Sequence, residues 1–175
     1  AAFFVHLLGP DRVILVNMPM EGYNSEKTIE LAQKGADNLG VELRSVPIND
    51  MVWAEAKAAG IAEGSPAFKT LMATVRFQVL KSIAALEGAI IINNGNKTEL
   101  AFGYATLNGD MRGYFAPWMD ALKGEVYQLA DYMNRRIFKR KVIPDELIYK
   151  DDEDYLAPMD ELTKDGKGNR EDPFD

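Results

Sequence analysis

Three short runs rich in β-branched residues recur along the chain, and each is separated from the next by a segment long enough to form a helix. The runs are DRVILVNM (11–18), VELRSVPI (41–48) and AIIIN (89–93). The first run is continuous and rich in β-branched residues, as is typical of a parallel strand that is buried on both faces, and the other two runs are the second and third predicted strands. Strands that are joined by helical crossovers predict an α/β fold: a doubly wound, mostly parallel sheet with helices on both faces.

Helix-start signals lie between these runs. Asn24 or Ser25 is a candidate cap for one helix, and Ser65-Pro66 suits the start of a longer one, because serine caps well and proline fits the first helical turn. The predicted helices comprise AAFFVHLL before Gly9, residues 24–40, residues 66–86 and residues 123–138.

Composition excludes several classes of protein. With 175 residues, 47% of them hydrophobic and 27% charged, the chain can bury one core and is expected to be one domain or a large piece of one. A net charge of −7 argues against nucleic acid as a partner, since phosphate binding needs clustered Lys and Arg. No apolar run approaches the length of about 18 residues that a membrane span requires, and no signal peptide is evident, so we expect a cytoplasmic protein without a membrane partner.

Few residues of the usual catalytic types are present. The chain has no cysteine, which rules out disulfides and thiolate metal sites within it. His6 is the only histidine, and its setting in AAFFVHLL favours a helix or core residue over a catalytic base.

The stretch NNGNKTELAFGYATLNGDM (93–111) concentrates polar residues directly after the third apolar run. Open α/β folds bind ligands in the crevice beyond the carboxyl ends of their strands. Gly95 permits close approach of the backbone, and the amide of Asn94 can both donate and accept hydrogen bonds with a nucleobase or ribose. We therefore predict a ligand site here.

The charged residues of this region allow two interpretations. Glu99 and Asp110 could share a hard cation with phosphate oxygens, or they could cap a short helix and close an Asn-Gly-Asp turn. Lys97 and Lys123 could meet phosphate charge, or they could be ordinary solvated lysines. An aromatic group could stack on a planar ring or fill a core, and it comprises Tyr104, Tyr114, Phe115 and Trp118.

The segment NNGNKTELAFGYATLNGDMRGYFAPWMDALKGEVYQLADYMN resembles the central signature of NAD synthetases. That signature has a Gly-Asn-Lys-Ser/Thr-Glu turn, an aromatic-x-Thr segment, Gly-Asp, and then Ala-Pro and a Lys. Upstream, VILVNMPMEGYNSEKTIELAQKGADNLGVE is similar to the second strand and helix of that family, and TLMATVRFQVL is similar to its Asn-x-x-Ala-Arg-x-Arg helix. The form Gly-Asp-Met resembles the glutamine-dependent branch more than the ammonia-only branch.

The resemblance implies an adenine nucleotide α-hydrolase-like fold and a ligase that uses ATP and Mg²⁺ to convert nicotinic acid adenine dinucleotide to NAD. An acyl-adenylate would form, and ammonia, free or derived from glutamine, would displace AMP. No protein nucleophile is needed, so no catalytic residue is expected. The implied ATP contacts are Asn94 and Lys123, and the implied metal ligand is Glu99. The implied dinucleotide contacts are Thr70, Thr74, Glu99, Tyr104, Ala105, Thr106, Leu107 and Asp110.

The sequence also departs from the family pattern. A Ser-Gly-Gly-x-Asp-Ser phosphate loop is expected just before Ala1, and a Pro-Ser/Thr-Ala-Glu-Leu segment is expected near Lys150. Thr70 and Thr74 stand where the family has Asn and Arg, which leaves Arg76 in that helix. We interpret residues 1–162 as a synthetase domain that lacks this loop and a segment near residue 150, and residues 163–175 as a polar tail.

Two other functions remain open on the sequence alone. One is a different ATP-pyrophosphatase-type nucleotide amidase, and the other is a degenerate or truncated domain that is retained for assembly. The resemblance further implies a homodimer or larger homo-oligomer, for which helix 66–86 is the candidate interface.

Overall fold

The structure is a computed structural model that describes residues 1–148. The predicted break at Lys150–Asp151 and the predicted tail at 163–175 lie outside the described residues. The helices and strands are α1 (Ala2–Leu8), β1 (Leu15–Asn17), α2 (Glu26–Leu39), β2 (Leu43–Ser45), α3 (Asn49–Ala59), α4 (Pro66–Glu87), α5 (Lys97–Phe102) and α6 (Lys123–Tyr132).

The chain forms two compact units, each with its own apolar core. Among the described residues, the first unit comprises 1–17, 22–46 and 122–148, and the second comprises 18–21 and 47–121. The buried core of the first unit consists of Ala2, Val5, Leu39, Val41, Met133 and Val142. The buried core of the second unit consists of Met20, Ile48, Val52, Ala56, Phe68, Leu71, Met72 and Val75.

Local capping residues set the helix boundaries as the sequence predicts. Ser25 Oγ accepts a hydrogen bond from Thr28 N at 3.2 Å, and Ser65 Oγ accepts one from Phe68 N at 3.2 Å. Each bond satisfies a backbone N–H group that has no partner inside the first helical turn. Gly40 ends α2 with φ of 70°, a left-handed conformation that favours glycine.

The sheet is parallel but smaller than predicted. β1 and β2 pair in the register Leu15↔Leu43, Val16↔Arg44 and Asn17↔Ser45. Val46 N donates to Asn17 O at 2.8 Å and Ile48 N donates to Pro19 O at 3.1 Å, so backbone hydrogen bonds persist beyond the regular ladder. The regular strand covers only Leu43–Ser45 of the predicted strand 41–48.

The third predicted strand is reduced to a single parallel bridge between Ile92 and Phe115. Two hydrogen bonds flank it: Asn93 N donates to Phe115 O at 2.9 Å, and Tyr114 N donates to Ile91 O at 2.8 Å. The α/β class with parallel pairing is confirmed, whereas the doubly wound sheet is seen only in part. Within residues 1–148, no helix has both the length and the apolar character that crossing a membrane requires.

Beyond α6 the helix continues as a π-helical segment, Met133–Phe138, which ends before Ile143 as predicted. The buried side chain of Asn134 holds the chain that follows. Its Oδ1 accepts hydrogen bonds from Val142 N and Ile143 N, both at 3.0 Å, and its Nδ2 donates to Ile143 O at 2.8 Å. Asn38 Nδ2 donates to Val142 O at 3.3 Å. Two helices thereby fix the segment around Val142.

We expect Asn134→Ala to lower the free energy of unfolding of the first unit by about 2–4 kcal/mol, because it removes the three hydrogen bonds that the buried Asn134 side chain makes to the backbone of Val142 and Ile143. Gln128→Ala, an exposed change in α6, is the control and should alter stability by less than about 0.5 kcal/mol. Urea denaturation followed by circular dichroism measures both. Hydrogen exchange should also accelerate at the amides of Val142 and Ile143, and equal stability of the two variants would contradict this role.

Candidate functional site

A capping box fixes the first turn of α5 and, with it, the side chain of Glu99. Asn96 Oδ1 accepts a hydrogen bond from Glu99 N at 3.1 Å, and Glu99 Oε2 accepts one from Asn96 N at 3.0 Å. Lys97 N donates to Ala121 O at 2.9 Å, which ties the start of the helix to the chain after Trp118. The hydrogen bond from Asn96 N therefore orients the Glu99 carboxylate at the first turn of α5.

The turn before α5 is built on Asn93, which is buried. Asn93 Oδ1 accepts a hydrogen bond from Gly95 N at 2.7 Å, so the side chain closes a turn around Asn94. A Cβ atom at Gly95 would lie 3.0 Å from Asn93 Oδ1 and 3.8 Å from Glu99 Oε2. Gly95 thus packs between the turn and the capping carboxylate, while Asn94 is exposed at its tip.

Gly113 allows the backbone to approach Asn93 very closely. A Cβ atom at Gly113 would lie 2.6 Å from Asn93 N and 2.9 Å from Asn93 Cβ, distances that real Cβ contacts do not tolerate. The pairing of residues 91–93 with residues 114–115 follows directly after this contact. Only glycine fits at position 113 without a shift of the backbone.

Residues 106–112 form a compact loop that is held by its own hydrogen bonds. Asp110 Oδ1 accepts from Thr106 N at 2.8 Å. Arg112 Nε donates to Leu107 O at 3.3 Å, and Arg112 Nη2 donates to Asn108 Oδ1 at 2.8 Å. Asp110 thus closes a turn, which is one of the two roles that the sequence allows for it.

Gly109, at the base of this loop, is buried against α4. A Cβ atom at Gly109 would lie 2.9 Å from the backbone carbon of Ala73. Ala73 lies between Thr70 and Thr74 on the same helix, and Thr74 Oγ1 donates to Thr70 O at 3.0 Å. The structure thus places the loop beside the part of α4 that carries two of the predicted dinucleotide contacts.

Arg76, one turn further along α4, is largely buried. Its Nε donates to Met18 O at 3.2 Å. Burial lowers the pKa of Arg76 from its usual value, although an arginine stays charged at neutral pH. This side chain therefore links α4 to the segment at Met18 within the second unit.

The predicted site residues divide between the two units. Those in the second unit are Thr70, Thr74, Asn94, Glu99, Tyr104, Ala105, Thr106, Leu107 and Asp110. Tyr104 follows the end of α5, and its backbone N donates to Glu99 O at 3.0 Å. Lys123 belongs to the first unit, where it is the first residue of α6.

The aromatic side chains of this region do not form a core. Tyr114 is 81% exposed, Phe115 is 53% exposed, and Tyr104 is also exposed, while Trp118 is half-buried. Of the two roles open from the sequence, core filling does not apply to the three exposed rings. Their faces remain accessible for contact with a planar ligand.

Magnesium is the metal that the predicted residues imply. Within residues 1–148, no group of three His, Asp or Glu side chains lies close enough to form a metal cage. Protein sites for Mg²⁺ commonly use one or two carboxylates together with substrate phosphates and water. A single carboxylate that is held in place, as Glu99 is, fits that type of site.

Sequence reasoning missed several residues on which this geometry depends. The spacing Asn96-x-x-Glu99 matches the pattern of a capping box and could have identified Asn96. Asn93 bonds Gly95 only two residues further on, so the Asn-Asn-Gly run could have identified its turn. For Gly109 and Gly113 the sequence has no comparable local signal, because their contacts are with residues distant in the chain.

The sequence of this chain matches a known protein family and several named relatives. The family model described as NAD synthase matches residues 1–164. A glutamine-dependent NAD(+) synthetase from Synechocystis sp. is 33% identical over 162 residues, which are 90% of this chain and 28% of that protein. An NH(3)-dependent NAD(+) synthetase from Archaeoglobus fulgidus is 37% identical over 140 residues, 78% of this chain and 56% of that protein.

A solved structure agrees with these relatives. The glutamine-dependent NAD+ synthetase from Acinetobacter baumannii, in complex with ADP, superposes with a TM-score of 0.78 and 32% identity. The match covers 84% of this chain and 28% of that one. The chain therefore spans less than a third of the glutamine-dependent relatives and somewhat more than half of the NH(3)-dependent one.

We expect Gly113→Ala to destabilise the second unit by about 1–3 kcal/mol, because the added methyl group meets the Asn93 backbone. Gly35→Ala is the matched control: it lies within α2, where a Cβ atom would meet only Pro144 Cδ at 3.9 Å. There, alanine should be neutral or stabilise by about 0.5–1 kcal/mol. Both tryptophans, Trp53 and Trp118, lie in the second unit, so tryptophan fluorescence in urea reports the unfolding of that unit, and circular dichroism of the same samples also reports α2, which contains Gly35. Equal midpoints for Gly113→Ala and the unchanged protein would contradict the close contact.

Proposed function

The chain belongs to the NAD synthase family, and from this premise we propose that it carries the site at which nicotinic acid adenine dinucleotide is amidated to NAD with the use of ATP. The relatives with glutamine-dependent and NH(3)-dependent names share NAD(+) synthetase as their activity. The structural observation that carries the proposal is the fixed Glu99 carboxylate, which lies between the Asn94 turn and the start of the 104–110 segment.

The proposed reaction has two steps. A carboxylate oxygen of the nicotinate attacks the α-phosphorus of ATP, the bond to the β-phosphate oxygen breaks, and pyrophosphate leaves. Ammonia then attacks the acyl carbon, loses a proton, and displaces AMP as the acyl C–O bond breaks. Negative charge concentrates on phosphate oxygens in both steps, so fixed electrostatic groups are the main requirement and no protein nucleophile is needed.

We assign Glu99 to hold magnesium. A carboxylate offers about four lone-pair positions, so a capping bond to Asn96 N is compatible with binding of a cation. The bound metal would supply positive charge to the phosphate oxygens of ATP. The protein contributes a carboxylate whose position does not have to be adjusted when the substrates arrive.

We assign ATP contacts to Asn94 and Lys123. Asn94 is exposed at the tip of the turn that Asn93 closes, where its amide is accessible to a ligand. Lys123 begins α6, and its ammonium group suits a phosphate contact.

We assign the dinucleotide to the surface formed by the loop and α4. Gly109 holds the loop against Ala73, beside Thr70 and Thr74. Asp110 is committed to Thr106 N, so its proposed role is to fix the shape of the loop. The further side chains assigned to this pocket are Glu99, Tyr104, Ala105, Thr106 and Leu107.

The Gly-Asp-Met motif favours glutamine as the source of ammonia. Gly109-Asp110-Met111 resembles the glutamine-dependent branch, and most of the similar proteins carry glutamine-dependent names. We propose that ammonia derived from glutamine reaches this site from a part of the enzyme that does not correspond to this chain.

We expect Glu99→Gln to reduce NAD formation by about two powers of ten, the scale for loss of one preorganised electrostatic group. Glutamine can replace glutamate in a capping box, so the thermal midpoint should change little. Raising the magnesium concentration should restore part of the rate.

Glu125→Gln is the matched control for this test. Glu125 Oε2 accepts from Leu122 N at 2.7 Å at the start of α6, so the same substitution alters an equivalent capping bond. NAD formation should be unaffected in this variant. If Glu99→Gln also leaves NAD formation unchanged, the assignment of Glu99 to the metal is wrong.

We further propose that the protein self-associates through the C-terminal half of α4. Phe68, Leu71, Met72 and Val75 of α4 are already buried in the core of the second unit, whereas Leu86 is 86% exposed. Sedimentation at micromolar concentration should show a dimer, which Leu86→Asp should convert to monomer. Leu7→Asp, a change at a leucine that is 57% exposed, should not do so. A monomer in the unchanged protein would contradict this interface.

A further inference from the structure

A groove with a strongly basic lining lies at the end of the π-helical segment in the first unit. Its volume is about 450 Å³, and it is lined by Asn134, Arg135, Lys139, Arg140, Lys141 and Asp145. Four of these side chains are cationic and one is a carboxylate. This volume falls in the range of about 300–1,000 Å³ that is typical of small-ligand sites.

The concentration of charge contrasts with the rest of the chain. The segment Arg135–Lys141 contains five of the 20 Lys and Arg residues in a protein whose net charge is −7. Arg135 Nε pairs with Asp131 at 2.7 Å, and Lys141 pairs with Asp145. Among residues 1–148, two carboxylates thus offset part of this charge, and the side chains that line the groove include more cations than carboxylates.

The backbone below these cations is rigidly held. Asn134 bonds both to Val142 N and to the N–H and C=O groups of Ile143, and its own C=O accepts from Arg140 N at 3.1 Å. Side chains on a fixed backbone lose less conformational freedom when they bind a ligand than side chains on a mobile tail.

The conformation of Lys139 is a second observation. With φ of 53°, Lys139 is the one residue other than glycine that has a positive φ among residues 1–148. Glycine or asparagine would adopt this conformation more readily, yet the chain has a lysine there, at the edge of the groove. Disfavoured backbone conformations of this kind cluster at functional sites.

We propose that this groove binds a small anion that carries two or three linked phosphates. Guanidinium groups form paired hydrogen bonds with phosphate oxygens, and lysines add charge at close range. Such an anion could be inorganic polyphosphate or the phosphate chain of a nucleotide, and both present the same chemistry. The net negative charge of the protein disfavours a nucleic acid, whose binding needs a wide basic surface. The inference is independent of the proposed NAD synthetase activity.

The test is calorimetric titration of the protein with inorganic tripolyphosphate at low ionic strength. The unchanged protein should bind it, and the affinity should fall as salt is added. The double variant Lys139→Asn, Arg140→Gln should bind about tenfold more weakly or not at all. Asparagine is tolerated at positive φ, so this variant should keep its fold, which circular dichroism verifies.

Control variants separate this groove from other anion sites. Lys57→Gln and Lys81→Gln remove the same total charge elsewhere and should leave the affinity unchanged. If Lys123→Gln abolishes binding while the double variant retains it, the anion occupies the ATP contact and the proposal is overturned. A parallel titration with ATP identifies the source: binding that is tighter than that of tripolyphosphate and equally sensitive to the double variant indicates a nucleotide.

Two further results would overturn the proposal. One is the absence of tripolyphosphate binding by the unchanged protein. The other is tighter binding of a polyglutamate peptide than of tripolyphosphate, which would identify the groove as a contact for an acidic protein segment.

Discussion

The close approach of Gly113 to Asn93 is the contact on which the candidate site depends. Immediately after it, the chain pairs through Ile92 and Phe115, and this short pairing joins the two halves of the polar stretch. Along the chain, Ile92 comes just before the Asn94 turn and Glu99, and Phe115 comes just after the 106–112 loop. Because a single backbone contact fixes both, a shift at Gly113 would move Glu99 and the loop together.

The two roles considered for Glu99 do not exclude each other. As a cap it stabilises the first turn of α5 through its bonds with Asn96. The bond from Asn96 N to Glu99 Oε2 also orients the carboxylate. A ligand that is already oriented loses little entropy when it binds a metal and phosphate. The capping box therefore provides a physical reason why a short helix begins at this position in the site.

Local signals in the sequence predicted local features correctly. Ser25, Ser65 and Gly40 mark helix ends because their effect involves backbone groups only a few residues away. The extent of the sheet could not be predicted in this way, since it depends on which distant segments pair with one another. For the same reason the contact of Gly109 with α4 was not foreseen: both residues are small, and only the fold brings them together.

A net charge of −7 has a consequence for the binding of the anionic ligands proposed for this protein. The overall field would repel ATP and a dinucleotide at long range, so attraction must come from groups within about a Debye length of the ligand. A carboxylate that holds a divalent cation supplies such attraction without adding basic side chains. Where the chain does concentrate cations, at Arg135–Lys141, it fixes the backbone with Asn134. In both places, groups that are held on a fixed backbone would attract an anion that the net charge of the protein repels.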